Sequence, residues 1–587
     1  MRSFVVRFIA AGSVVALAGF VAVPTQAQAA KAPTAVGTGG AAASVDVLAS
    51  EAAMDTLRGG GNAIDAAVAA AAVLGVTEPF SCGIGGGGFM VIRTADGAVT
   101  TIDGREAAPA KMHSTSLWND GQPLPFNDAR FSGLSAGVPG TVATWDLALR
   151  RFGTMSLAAA LRAGITVARE GFQIDQVFFD QTAANSDYFD DVPSTAALYL
   201  DADGTPRDVG TVLTNPDMAR TYRRIAHLGA KGFYRGAVAD AMVEAVTAPP
   251  VAADANHVWR SGVMRMRDLR SYAAVEREPA HVEYRGLDVY GMGPPSSGGS
   301  TVGEALNILE GYDLAGMDRT QALHYFLESS RFAFADRNAY LADPAYFDVP
   351  LRGLLSESFA AERRALIGDS AATSPVAPGD PYPHNGGGGG GLAAATSSHE
   401  TTTHLTVSDT WGNVVSYTFT IESTGGNGIV VPGWGFLLNN ELTDFNYDSR
   451  THPNRVEGGK RPRSSMSPTI VTAGGEPLLA LGSPGGSTII TTVLQILIDR
   501  VDLGATLPEA IAAPRATQRN TASTSAEPDF IASPEGQALV ANGHRFTSTP
   551  EIGAATAIEF LPAGGVIAAA EPQRRGGGSA MVQHVAP

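Results

Sequence analysis

Three consecutive threonines, Thr401, Thr402 and Thr403, stand between a six-glycine run (386–391) and a strand-like stretch, within SSHETTTHLTVSD at 397–409. In mid-chain a threonine hydroxyl is a weak nucleophile. At the start of a polypeptide it is a useful one, because its own α-amine, with a reference pKa of about 7.7–8.0, can take the hydroxyl proton. A cut before Thr402 therefore makes one residue both nucleophile and base, with no Ser-His-Asp trio required. Two other chemistries are suggested and do not survive their context. GLSAG at 133–137 matches the G-x-S-x-G nucleophile elbow, but no clean strand precedes it. HETTTH resembles a zinc-protease motif, but its histidines are five apart rather than four, and three threonines disfavour the helix.

The element that must position Thr402 is a hairpin. From 402 the chain alternates T-T-H-L-T-V-S-D, turns at T-W-G and alternates again through N-V-V-S-Y-T-F-T-I, with Gly412 at the left-handed loop position. Pairing Asp409 with Asn413 sets opposed residues to sum to 822 and places Thr420 across from Thr402. Leu405, Val407, Val415, Tyr417, Phe419 and Ile421 then share a core face. Thr402, His404, Thr406, Ser408, Ser416, Thr418 and Thr420 share a polar one. That face would meet water in an ordinary hairpin. Here it starts at the junction of a floppy segment and a rigid sheet, where a peptide bond can be cut.

The chain has 587 residues, 44% hydrophobic and 17% charged, with a net charge of −17. That balance argues against a nucleic-acid partner. MRSFVVR, the apolar FIAAGSVVALAGFVAV and AQA at 27–29 read as a secretory signal over residues 1–29, which makes the protein secreted, extracellular or in a periplasm-like space. A single membrane anchor is the competing reading of the same stretch. Cys82, the one cysteine, has no disulfide partner and reads as a small core residue.

Residues 31–42 are small and polar and read as a disordered start. Helical patterns follow from 44 to a stop at 58–61, then from an Asn62 cap through AIDAAVAAAAVLGV, and near 158–171, 217–228 and 300–341. GIGGGGFMVIR runs into a strand rather than a helix, so its glycines serve close backbone packing, not a phosphate. Residues 369–401, rich in Pro, Gly, Ser and Thr, read as flexible and extended. Strands dominate past 402, and the pattern resumes over 467–501.

TTHLTVSD, YTFTIE, LLNNELTDF, KRPRSSMSPTI and GSPGGSTIITTVLQ, with GGNAIDAAVA, GGGGFMVIR, IDGREAAPAKM, GVPGTVA, PPSSGG and FADRNAYLADP upstream, resemble γ-glutamyltranspeptidase, an N-terminal nucleophile hydrolase. The likeness runs from about residue 40 to the C-terminus. It implies an α+β fold, a four-layer αββα sandwich. It also implies a proenzyme that cuts Thr401–Thr402, giving a large subunit (30–401) and a small one (402–587) that remain together as a heterodimer in one αββα domain.

The resemblance assigns the remaining site residues. Arg105 would grip the α-carboxylate of a γ-glutamyl donor, and a guanidinium fork suits that group. Ser464 and Ser465 would donate to the same carboxylate. Glu441 and Asp444 would hold the α-ammonium, with Glu422 a third contact. Gly485 and Gly486 would offer an oxyanion hole of two backbone N–H groups. Thr420 would steady the hydroxyl of Thr402. The implied substrates are glutathione and other γ-glutamyl compounds, with water or an amino acid or peptide amine as acceptor, and no metal or organic cofactor. Read locally, the same residues suit a salt bridge, turns and solvated loops.

Only fourteen residues separate Phe445 from Lys460. That shortens the loop that some members carry as a lid and implies an open site. Arg463 stands where leucine is common. Two alternatives remain: an amidase for glutaryl-β-lactams (a cephalosporin acylase), and an uncleaved, inactive γ-glutamyl-binding homologue.

Overall fold

Alternating strands joined by tight turns produce two antiparallel seven-stranded sheets. The computed structural model describes residues 31–385 and 401–584, so the expected signal at 1–29 lies outside the described residues. In chain order the strands are β1 (Thr34–Gly37), β2 (Ala41–Ser44), β3 (Gly87–Arg93), β4 (Val99–Gly104), β5 (Val275–Arg277), β6 (Ala280–Tyr284) and β7 (Leu287–Gly291). Beyond residue 402 come β8 (Thr403–Ser408), β9 (Val414–Thr420), β10 (Thr469–Ala473), β11 (Glu476–Gly482), β12 (Thr556–Phe560), β13 (Val566–Ala570) and β14 (Ser579–Val582). One sheet runs β1-β13-β12-β11-β10-β7-β6 and the other β14-β2-β8-β9-β3-β4-β5.

Helices cover both outer faces. On the second sheet lie α1 (Val47–Arg58), α2 (Ala63–Thr77) and α3 (Thr141–Phe152), burying Met90, Ile92, Leu405, Val407, Tyr417 and Phe419, and α4 (Pro216–Leu228) packs beyond them, with Tyr222 Oη donating to Ala72 O (2.9 Å). On the first lie α5 (Gly298–Glu310) and α7 (Thr488–Val501), over Val289, Val471, Leu479 and Leu481, with α6 (Arg319–Tyr340) packed on α5. The result is the expected αββα sandwich, with the apolar cores between each sheet and its helices. The pattern at 300–341 is two helices, α5 and α6, rather than one. α2 is buried at every position and starts on a capping box of Asn62 and Asp65. No helix among the described residues is long and apolar enough to cross a membrane.

The hairpin has the expected register: Thr403 faces Phe419, His404 faces Thr418 and Ser408 faces Val414. Gly412 has φ 95°, and Asp409 Oδ1 accepts from the N–H groups of Trp411 and Asn413, which fixes the turn. Its polar face does not meet water. It lies between the sheets, where two of its hydroxyls reach opposing backbone: Ser416 Oγ donates to Leu481 O (2.9 Å) and Thr406 Oγ1 to Thr556 O (3.4 Å). His404 bridges Thr418 and Thr406 (2.8 and 3.1 Å) over Gly482, where a Cβ would lie 2.3 Å from the imidazole. Burial pushes the imidazole down to about 3, so it stays neutral at working pH.

Two expectations are corrected. Residues 31–42 are not a disordered start: the chain gives β1 to one sheet and enters the other as β2, between β14 and β8. Alanines 41 and 43 lie with Ala568, Ala570 and Ala580 in a layer of small side chains. Residues 369–385 are not a loose tether either. Ala372 N–H donates to Glu328 Oε2 (3.1 Å), Val376 N–H to Asn520 Oδ1 (2.7 Å) and Gly379 N–H to Asp336 Oδ1 (2.6 Å), and Tyr382 is buried beside Phe359. The rest of that expected segment, 386–400, lies outside the described residues.

The remaining motifs behave as structure. At Gly85 and Gly86 a Cβ would fall 1.9 Å from the carbonyl oxygens of Leu437 and Thr420, so close backbone approach explains the glycine run. Ser135 of GLSAG is buried in a 3-10 turn and donates to Arg130 O (2.6 Å). Cys82 is buried, and burial raises its thiol pKa well above the usual value.

Candidate active site

The end of β9 and the chain entering β8 bring the key hydroxyls together. Thr402 Oγ1 donates to Thr420 Oγ1 (3.2 Å), and Thr420 Oγ1 donates to the carbonyl oxygen of Thr401 (2.7 Å). The 401–402 peptide bond therefore carries a hydroxyl on its carbonyl oxygen and the Thr402 side chain beside it. Thr420 Oγ1 also accepts from Glu422 N–H (2.9 Å), and Thr401 N–H donates to Glu422 O (2.7 Å). Arg575 holds the far side: Nη1 donates to Thr402 O and Nη2 to Ser81 Oγ, both at 2.6 Å.

A narrow cleft beside Thr402 is lined by Arg105, Thr420, Glu422, Glu441, Asp444, Ser464 and Ser465, which unites eight of the ten expected site residues. The space enclosed is only about 10 Å³, roughly one water-sized sphere. The shortened 446–459 loop folds inward, and Asn454 joins its two ends, donating to Asp444 O and accepting from Arg463 N–H (both 2.8 Å).

The charged residues are paired with one another. Arg105, from the turn after β4, is buried and places Nη1 on Glu441 and Nη2 on Asp444. Nε donates to Pro462 O (3.1 Å) and Nη2 to Arg463 O (3.0 Å). Glu441 Oε2 has no hydrogen-bond partner among the described residues. Glu106 lies behind, its Oε2 4.0 Å from Arg105 Nη1 and both its oxygens without a hydrogen bond among the described residues. Burial pushes this carboxyl up to about 8, against the pull of Arg105.

Sequence reasoning missed the residues that brace these groups. Glu422 sits at φ 80°, a region a non-glycine residue adopts only when its surroundings enforce it. Its carboxylate accepts from Ser423 Oγ (2.5 Å) and Asn440 Nδ2. Arg337, from FADRN, donates to Ser465 Oγ (2.6 Å) and Ser297 Oγ (2.8 Å), and Ser297 Oγ donates to Ser464 O (2.6 Å). Ser464 Oγ accepts from Met466 N–H (3.2 Å). The local sequence held one signal, an arginine and an asparagine inside two of the quoted motifs.

Gly485 and Gly486 do not line the cleft. They form the turn into α7, with φ of 126° and 58°, and a Cβ on Gly485 would lie 2.7 Å from Thr488 Oγ1. The start of α7 adds a partial positive charge beside their N–H groups. Gly485 lines a second cavity, of about 480 Å³, which it shares with Thr401, Thr488, Glu551 and Arg575.

The family model described as gamma-glutamyltranspeptidase matches residues 49–581. The glutathione hydrolase proenzyme of Bacillus subtilis subsp. natto is 38% identical over 557 residues, covering 92% of this chain and 91% of that protein. Acylase ACY 1 proenzyme of Pseudomonas sp. (strain V22) is 35% identical over 550 residues, 91% of this chain and 92% of that one. Among solved structures, a cephalosporin acylase from Bacillus halodurans superimposes with a TM-score of 0.83 at 27% identity, covering 97% of this chain and 100% of that one.

Proposed function

Since this chain belongs to the γ-glutamyltranspeptidase family, we propose that it cuts itself at Thr401–Thr402 and that Thr402 then carries γ-glutamyl groups from glutathione and related amides to water or an acceptor amine. The chain is a γ-glutamyl transferase and hydrolase. The assignment of its residues rests on one observation: the buried Arg105–Glu441–Asp444 cluster in the cleft of Thr402.

Processing starts from the geometry of the uncut bond. Thr402 Oγ1 adds to the Thr401 carbonyl carbon while Thr420 Oγ1 stabilises the oxygen. The C–N bond breaks, the nitrogen takes the hydroxyl proton, and water hydrolyses the resulting ester. The freed α-amine then serves as base for turnover. Thr402 Oγ1 attacks the γ-carbonyl of the donor, its proton passes through the α-amine to the leaving amine, and the N–H groups of Gly485 and Gly486 receive the oxyanion. Water or an acceptor amine opens the ester and returns the proton to Oγ1.

An α-amino acid group fits the cluster as an exchange of partners. Its carboxylate takes Arg105 with Ser464 and Ser465, and its ammonium takes Glu441 and Asp444, with Glu422 near. Arg105 exchanges two carboxylates for one, Glu441 and Asp444 exchange the guanidinium for the ammonium, and the zwitterion adds no net charge. A glutaryl donor brings the carboxylate without the ammonium and leaves the acids unpaired, which weighs against the acylase reading although acylases are among the relatives. Export directed by residues 1–29 completes the proposal. Sequencing the N-termini of the mature protein, together with release of a chromogenic γ-glutamyl anilide, tests it: a fragment starting at Thr402 and anilide hydrolysis are expected together.

A further inference from the structure

In the reading above the cleft of Thr402 takes the γ-glutamyl half of a substrate, and the group attached to the γ-carbonyl then finds room on the other side of the nucleophile. That side is the second cavity of about 480 Å³, which reaches the Thr401–Thr402 bond through Thr401 and the expected oxyanion turn through Gly485. Thr401 is part of its wall in the uncut chain, and its departure after cleavage would join the two spaces.

Arg575, Glu551 and Asp180 are the charged residues that line this cavity, and Lys31, paired with Asp175, reaches its Gly576 end by donating to Gly576 O (3.4 Å). The guanidinium of Arg575 is committed inward, to Thr402 O and Ser81 Oγ. Glu551 and Asp180 are exposed. Glu551 Oε2 accepts the Arg575 backbone N–H (3.1 Å) and Asp180 Oδ1 the Gln176 amide (2.8 Å), which leaves both carboxylates able to accept more. The inner wall thus carries a fixed cation close to the reacting bond, and the rim carries two anions.

We propose that this cavity holds the amine half of the reaction, first the leaving amine and then the acceptor, and that Glu551 and Asp180 select acceptors by charge, favouring peptides with cationic outer groups over acidic ones. The inference rests on the γ-glutamyl transfer by Thr402 given above. In the step concerned, the acceptor nitrogen bonds to the ester carbonyl carbon, the C–Oγ1 bond of Thr402 breaks, and the amine proton ends on Oγ1. The rim carboxylates take no part in that exchange. They act on the part of the acceptor that points outward, by attraction and repulsion over a few ångströms, a range shorter than the Debye length.

The test holds the attacking amine constant and varies only the outer group. Glycyl-lysine, glycyl-glycine and glycyl-aspartate are offered to the processed enzyme with a γ-glutamyl anilide, and transfer is divided by hydrolysis measured in the same reaction. Transfer is expected to fall in that order, with about fivefold or more between the lysine and aspartate peptides, since exposed charge pairs contribute up to about 1 kcal/mol each. Glu551→Lys and Asp180→Lys, separately, should narrow or invert the order. Val177→Trp, which fills the cavity, should lower transfer to all three peptides relative to hydrolysis. Equal transfer to the three peptides, or an order unmoved by both lysine variants while hydrolysis persists, overturns the inference. A wild-type enzyme that is processed at Thr402 yet releases no anilide overturns instead the reading on which it rests.

Discussion

Removing the amino group from the donor is the perturbation that probes the Arg105–Glu441–Asp444 cluster most directly. A γ-glutamyl anilide and a glutaryl anilide differ only in that group. When the glutaryl carboxylate draws Arg105 away, Glu441, fully buried, and Asp444, with a side chain 10% exposed, receive nothing in return. Breaking a buried ion pair by removal of one partner costs about 3–5 kcal/mol. At about 1.4 kcal/mol per decade, kcat/KM for the glutaryl compound should fall by two to nearly four orders of magnitude. Initial rates of anilide release by the processed enzyme give the ratio. The double variant Glu441→Gln/Asp444→Asn should bring the two donors within about tenfold, because the amide side chains no longer need a counter-ion. A wild-type ratio below tenfold, or a ratio that survives the double substitution, would show that the cluster does not read the ammonium.

Thr402→Ala is expected to give a single unprocessed band on a denaturing gel and no turnover, whereas the wild type shows two fragments. Thr420→Val removes the donor to the Thr401 carbonyl and should slow processing about 10²–10³-fold, as loss of one oxyanion donor does elsewhere; the time course of fragment appearance measures it. Arg105→Ala should weaken donor binding and also destabilise the fold, since it strands two carboxylates; adding Glu441→Gln and Asp444→Asn should restore the denaturation midpoint but not the KM. Glu106 provides a pH test. Its folded-state pKa is raised from 4.5 to about 8, so its favourable contribution is complete below about pH 4.5 and drains away as pH climbs to 8. Glu106→Gln should match the wild type at pH 5 and exceed it at pH 9 by a few kcal/mol, read from urea midpoints.

Legibility followed the range of the interaction. The β8–β9 register could be read because alternation and a glycine turn are local, and the site residues could be gathered because they sit in motifs. β1 and β2 could not, because Thr, Ala and Gly carry no alternating pattern; their small side chains serve the close approach of two sheets, a tertiary demand. The polar hairpin face looked like a water-facing one, since a hydroxyl bonded to an opposing backbone and one bonded to solvent have the same sequence. Nothing near Arg105 indicates that it meets Glu441 and Asp444, 336 and 339 residues away, or that Arg575 reaches Thr402 across 173. Residues 369–385 misled for the same reason: their anchors, Glu328, Asp336 and Asn520, lie elsewhere in the chain.

The order of strands also decides what a cut at 402 leaves behind. β2 comes from before the cut and is hydrogen-bonded on both sides to strands from after it, while β1 caps the other sheet against β13. Severing the backbone therefore does not divide the molecule. The two polypeptides are interwoven like fingers, cannot part without dismantling both sheets, and should neither swap between molecules nor assemble from separately made halves.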